Sequence, residues 1–305
     1  MALEYFVWRS LQSLLLILLA TFVVFMLLHI TPGDPATIIL GEQATPEQIA
    51  DLRHSMGLDR PLPEQYLRFL SNAVRGDFGL SIRAQRPALA YVLERLPATL
   101  QLSAGAFGFA VFIGLPIGIL SAVKRLSIWD HSAMFIALLG QSMPVFWLGL
   151  MLIVVFAVQL RWLPASGMGQ LRHLVLPAIS LGTFLIGLII RLTRSSMLDV
   201  LSQDYIRTAR AKGLSGGTVL VRHALKNALI PVVTVLGLQM GTLLGGAVIT
   251  ETVFAWPGMG MVTVTAIHQR DYPVVQSAVL VSAILVVLIN WLVDVLYHYL
   301  DPRIR

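Results

Sequence analysis

Apolar runs of about twenty residues alternate along the chain with short polar connections, and one polar stretch is much longer than the rest. A hydrocarbon core about 30 Å thick is crossed by about 20 helical residues. Six segments are of that order: Leu11 to Ile30, Pro97 to Val123, Trp129 to Val158, Leu174 to Ile190, Leu229 to Ile249 and Val274 to Leu296. They predict an all-α integral membrane protein with six transmembrane helices. The first run is longer than a secretory signal and lacks a small-residue cleavage site after it, so it is read as a retained span. Gly114 and Gly118 in the second span, and Gly237, Gly241 and Gly245 in the fifth, recur every four residues and predict close helix packing. Gly140 and Pro144 predict a kink near Met143 in the third span, with Gln141 and Ser142 at the break.

The long polar segment, residues 31–95, holds seven Arg and eight Asp or Glu and is close to neutral. Thr45 followed by Glu47 and Asp51 reads as a helix start, and a second helix is expected from Pro63 to Val74. With few large apolar side chains it would bury little core, so it is expected to be a small helical cap outside the cell. The chain thus divides into 1–30 with the first span, 31–95 as the extracytoplasmic segment, and 96–305 as a five-helix core.

Another polar interruption, Asp204 to Pro231, reads DYIRTARAKGLSGGTVLVRHALKNALIP and is the most basic short stretch present. Ala209 and Ala211 favour a short helix over Tyr205 to Lys212, ended by Gly213 in a left-handed conformation. Ser215, Gly216 and Gly217 are read as a turn before the helix resumes at Val219. After the fifth span, Glu251 to Gly260 (ETVFAWPGMG) reads as a re-entrant or interfacial loop.

Composition agrees: 56% of residues are hydrophobic, 12% are charged and the mean hydropathy is +0.78. That is too little charge to cover a soluble globule of this length. The net charge of +6 reflects basic connections rather than a nucleic-acid surface, and no nucleic-acid partner is expected. Twelve Lys or Arg fall on one set of short connections and termini and three on the other. By the positive-inside rule both termini lie in the cytoplasm, in a multi-pass arrangement.

There is no cysteine and no GxxxxGK[ST] phosphate loop, and the seven histidines show no metal-ligand spacing. No metal, cofactor or catalytic set is therefore expected, and the chain is not read as an enzyme. Polar residues inside spans tend to face a bundle interior, so Gln141, Ser142, Thr234, Gln239 and Thr242 are candidates for lining a pathway. Asp294, near the end of the sixth span, is read as an anchor rather than a transfer site.

The basic interruption resembles the EAA loop of the permease subunits of ABC importers. Arg207 and Thr208 replace the name-giving Glu and first Ala, and Lys226 stands where a proline is usual, with Pro231 following. TRSSMLDVLSQDYIRTARAKG is similar to the signature of the peptide and nickel branch, and HITPGDPA, GDFGLS, ETVFAWPGMG, RDYPVVQ and DPRIR extend the likeness over nearly all 305 residues.

What the resemblance implies is a permease of the bacterial inner membrane, forming half of a path for peptides such as dipeptides, oligopeptides or glutathione. It also implies pairing with a second homologous permease, two cytoplasmic ATP-binding subunits holding ATP and Mg, and an external substrate-binding protein. In residues 199–227 the coupling contacts would be Tyr205, Arg207, Thr208, Ala209, Arg210, Ala211, Lys212, Gly213, Leu214 and Ser215. A nickel-chelate permease is the alternative within the family. Outside it, a stand-alone secondary transporter would call for internal repeats and intramembrane charges.

Overall fold

The computed structural model describes residues 2–30, 35–41 and 44–300, and none of these is in a strand. Its helices are α1 (Ala2–Ile30), α2 (Pro35–Leu40), α3 (Pro46–Met56), α4 (Leu62–Val74), α5 (Ala88–Leu93), α6 (Leu96–Val123), α7 (Ile128–Ser142) and α8 (Val145–Leu152). A π-helical stretch, Ile153–Gln159, follows α8. Then come α9 (Leu171–Leu201), α10 (Asp204–Ala211), α11 (Gly216–Thr218), a second π-helical stretch (Val219–Leu225), α12 (Lys226–Val253), α13 (Met259–His268) and α14 (Tyr272–Leu300).

Among the described residues, five segments are long and apolar enough to cross a membrane: Val7–Met26, Ala88–Val123, Leu171–Leu201, Gly216–Val253 and Tyr272–Val293. The third predicted span is not one gently kinked helix. Its halves, Ile128–Ser142 and Val145–Gln159, meet at 104°. The residue before a proline is driven out of the helical region, and Met143 (φ −80°, ψ 129°) and Pro144 (φ −60°, ψ 132°) are both extended. Two successive extended residues break the rod instead of bending it. Ser180 of α9 donates to the Val145 carbonyl at 2.9 Å, satisfying one backbone group near the break. The fourth apolar run also continues further than expected, to Leu201, because no breaker follows Arg191.

The chain forms two compact units, Met1–Pro97 with Gly258–Val287, and Ala98–Pro257 with Leu288–Arg305. In the first, α4 lies along α1. Tyr66 meets Phe22 edge-on and shares a 3.0 Å hydrogen bond with Thr21. Thr45 caps α3, as the sequence pattern suggests, and does so in a reciprocal box with Gln48; Gly57 closes the helix at φ +70°. The motifs GDFGLS and RDYPVVQ, far apart in sequence, meet here. The buried Asp271 carboxylate accepts from Ser81 Oγ (2.5 Å) and from the amides of Ile82 (3.2 Å) and Arg83 (3.3 Å). Beside this tie, Ala88 and Val92 of α5 pack with Met259, Val262 and Ala266 of α13 and Val274 and Ala278 of α14.

In the second unit α9 is central. A Cβ on Gly114 would lie 2.9 Å from Ile189, and one on Gly118 2.7 Å from Thr193, so the predicted glycine face of α6 does meet a neighbour closely. Lipid tails are as apolar as the side chains they touch, so dispersion at such close approaches holds the helices together. Gly187 of α9 faces the Ala137 carbonyl and the Gln141 side chain of α7. Gly187→Leu has no room to relax against a backbone oxygen and should destabilise the unit by about 3 kcal/mol or more. A thermal-unfolding midpoint of the detergent-solubilised protein several degrees below that of the parent would register it.

Phe254 and Trp256 are both about 1% exposed, and the Trp256 indole N–H donates to the Ala98 carbonyl at 2.9 Å. Ala255 between them takes φ +45°. ETVFAW is thus a packed turn that buries both aromatics, and the apolar helix α13 after it had no separate place in the sequence pattern.

Candidate functional site

The junction from α9 to α12 is an anchored elbow. Acidic Asp204 opens α10 and basic Arg210 lies in its last turn, each opposite in sign to the nearby end of the helix dipole. Ile206 and Ala209, one turn apart, are buried with Ala122, Met197, Val219, Ala224 and Ala228. Lys212 ends the helix and Gly213 follows at φ +77°, with its amide 3.0 Å from the Arg210 carbonyl. The Leu214 amide reaches back to the Ala209 carbonyl at 3.4 Å, closing the left-handed stop that the Gly predicts.

The expected turn at 215–217 is shorter than the sequence suggested. Ser215 Oγ accepts from the Thr218 amide at 3.3 Å, and α11 begins at Gly216. A side chain that caps the helix removes the need for a longer loop. Asn227 Nδ2 donates to the Tyr205 hydroxyl at 2.8 Å, tying the start of α10 to the start of α12.

Of the predicted contact residues, Tyr205, Arg207, Thr208, Arg210, Ala211, Lys212, Gly213, Leu214 and Ser215 are exposed. Ala209 is not: it is 7% exposed and faces the cluster, so it anchors the elbow and has no face to offer outside it. Val221 and Arg222, on the π-helical stretch, add to the exposed surface. The Asp204 and Arg207 pair, 3.5 Å apart and solvated, contributes little.

The candidate pathway residues are less well defined. Gln141, Thr234 and Gln239 are half-buried and Ser142 and Thr242 exposed, with no hydrogen bond joining any two of them among the described residues. A Cβ on Gly237 would lie 2.6 Å from Val293, a close approach to α14, while one on Gly245 would meet nothing within 4 Å. Gly241 is half-buried. The side chain of Asp294 lies outside the described residues.

Besides Asp271, two more buried carboxylates escaped sequence reasoning. Glu251, fully buried, accepts from Thr99 Oγ1 at 2.6 Å. Asp130, 3% exposed in the first turn of α7, accepts from Ser121 Oγ at 2.5 Å, from the Leu126 amide at 2.9 Å, and from Arg194 through Nε (2.6 Å) and Nη2 (2.8 Å). One side chain thus joins α6, α7 and α9. The only local signal was Ser127-x-x-Asp130, which marks the start of α7 with Ser127 as its N-cap but not the partner on α9.

Residues 114–305 match the family described as "binding-protein-dependent transport system inner membrane component", and residues 2–103 match the N-terminal description of the same systems. The chain belongs to this family. The family member is 49% identical over 313 residues to the dipeptide transport system permease protein DppB of Alkalihalophilus pseudofirmus, covering 93% of this chain and 94% of that one. It is 45% identical over 317 residues to DppB of Escherichia coli, with the same coverage. To the glutathione transport system permease protein GsiC of E. coli it is 44% identical over 303 residues, 99% of each chain.

Among solved structures it superposes on a chain of the inward-facing MetNI methionine ABC transporter with a TM-score of 0.60 and 20% identity, covering 69% of this chain and 96% of that one. This importer-family chain is therefore a multi-pass membrane component with an ABC permease fold, in a family of non-catalytic subunits.

Proposed function

We propose that the chain is a permease subunit of an ATP-driven importer for short peptides in the bacterial inner membrane, including glutathione-like peptides. The relatives that match nearly end to end carry dipeptide or glutathione transport names, which supports the substrate class. With the 104° pair counted as one, the helices make six spans, with both termini and the elbow in the cytoplasm. Residues 31–95 then lie outside the cell, between the first span and the five-span core. A second homologous permease completes the path, two cytoplasmic subunits hydrolyse ATP with Mg, and an external protein delivers substrate.

The observation that carries this reading is the elbow itself. Its inward side, Ile206 and Ala209, is fixed in a core, while Tyr205, Arg207, Thr208, Arg210, Ala211, Lys212, Leu214 and Ser215 point outward. A helix held rigidly on one side and bare on the other can receive a push from a docked ATPase and pass it to α9 and α12. Gln141, Ser142, Thr234, Gln239 and Thr242 are assigned to the path and Gly237 to packing against α14, whereas Gly245 has open space beside it within this chain and Gly241 is only half-buried.

The test is uptake of a labelled dipeptide into proteoliposomes. Uptake should need ATP, the binding protein, the second permease and both ATPase subunits. Transport by this chain alone, driven by an ion gradient, would replace the importer reading with a secondary transporter.

A further inference from the structure

The Asp130 junction adjoins the elbow's core, since Ser121 precedes Ala122 and Arg194 lies one turn before Met197, but Asp130 itself is not part of the elbow. Asp130 opens α7, Ser121 is in the last turn of α6, and Arg194 is two turns before the end of α9. Its carboxylate uses both oxygens: Oδ1 takes Ser121 and Arg194 Nε, and Oδ2 takes the Leu126 amide and Arg194 Nη2. The forked arginine pairing fixes angle as well as distance, which a single ammonium donor cannot do. The bond to the Leu126 amide also holds that residue at φ +61°, a left-handed conformation a leucine rarely takes, so the α6 to α7 turn depends on the same carboxylate.

Close packing continues away from this point. Gly118 on Thr193 and Gly114 on Ile189 seat α6 against α9, and Gly187 on Ala137 seats α7 against α9. Three helices are therefore pinned at one end by a charged fork and packed without clearance above it. The chain from Arg194 then runs straight through the end of α9 into the elbow.

We infer that Asp130 and Arg194 are positioning residues for coupling: they make α6, α7 and α9 one rigid block, so that displacement of the elbow reaches the break at Met143 and Pro144 after the end of α7. This rests on the elbow being the ATPase contact. Without the fork, α9 moves under the push and α7 does not follow, so ATP is hydrolysed without opening the break that carries Gln141 and Ser142. A purely structural pair would instead lower assembly and leave the ratio of ATP used to peptide moved unchanged.

The chain lacks cysteine, so Ile128→Cys on α7 and Asp199→Cys on α9, both exposed positions, give its only two thiols for spin labels. In the assembled importer, with partner cysteines removed, the distance between the labels should stay within about 2 Å between nucleotide-free and ATP-bound states, well short of the one-turn displacement of about 5.4 Å by which one helix ratchets past another. Arg194→Gln and Asp130→Asn should broaden that distance and raise ATP consumed per dipeptide imported by about tenfold or more, with Arg194→Lys between them and the parent.

A label distance that changes by more than this in the otherwise unaltered chain overturns the proposal, whatever the variants do. So does an unchanged ATP-to-peptide ratio in assembled Arg194→Gln or Arg194→Lys importer. Gly213→Pro separates the two readings: if it transports normally the elbow reading fails, and if it is inactive while Arg194→Gln remains coupled only the junction proposal fails.

Discussion

Gly213→Pro will abolish peptide uptake and stimulation of the partner ATPases, while the chain still inserts in the membrane. Proline fixes φ near −65° and has no N–H. Gly213 sits at φ +77° and its N–H reaches the Arg210 carbonyl at 3.0 Å, so the substitution fails on both counts. Nothing lies within 4 Å of a Cβ at this position, so the effect is one of backbone shape and not of crowding. A cost of about 3 kcal/mol or more corresponds to at least a hundredfold fall in the population of correctly shaped elbow.

Gly213→Ala, which keeps the N–H, should cost about 1 kcal/mol and lower uptake only several-fold. Gly216→Ala and Gly217→Ala, with open space around each and no left-handed backbone, should behave like the parent. Parallel measurement of ATP hydrolysis, uptake and membrane-fraction abundance distinguishes these outcomes. Full uptake by Gly213→Pro would remove the elbow from the mechanism.

The second large effect is expected at Asp271→Asn. The carboxylate accepts three hydrogen bonds from residues 81–83, and an amide in its place must turn an N–H toward one of those donors. Hydrogen bonds to a charged acceptor contribute about 1.5–3 kcal/mol each, so the tie should weaken by about 2 kcal/mol or more, roughly thirtyfold in local opening. Trypsin reads this directly, because Arg83, followed by Ala84, lies in the tied loop, whereas the Arg86–Pro87 bond resists the protease. Cleavage after Arg83 should accelerate by at least about an order of magnitude in the purified protein. An unchanged cleavage rate would show that the isolated pair of Leu80 and Pro87 and the other loop bonds hold the segment without Asp271.

The legible parts of the fold are those written in local sequence. Long apolar runs gave the spanning helices, Thr45 gave a helix start, and Gly213 gave a helix stop, because each acts through its immediate neighbours. The bend at Met143 was visible but its size was not: a lone proline often only kinks a helix, and extending two residues in succession is a decision of the packed structure. The same limit hid the buried carboxylates. Asp130 and Arg194 are 64 positions apart and Ser81 and Asp271 are 190 apart, and no periodicity links residues at such separations. Ala209 shows the converse error, since membership of a basic helix said nothing about which way that residue would face.

The π-helical winding of Val219–Leu225 has a further consequence. Such a stretch holds more residues per turn than the α-helix that follows it. Each residue of an α-helix advances the rotation by about 100°, so losing or gaining a single residue here would turn all of α12 by more than a quarter of a circle. Thr234, Gln239 and Thr242 would then look out along a different azimuth. The length of this short connector sets the rotational phase of the fifth apolar helix, and one-residue insertions or deletions in it should be far more harmful than many substitutions at the same positions.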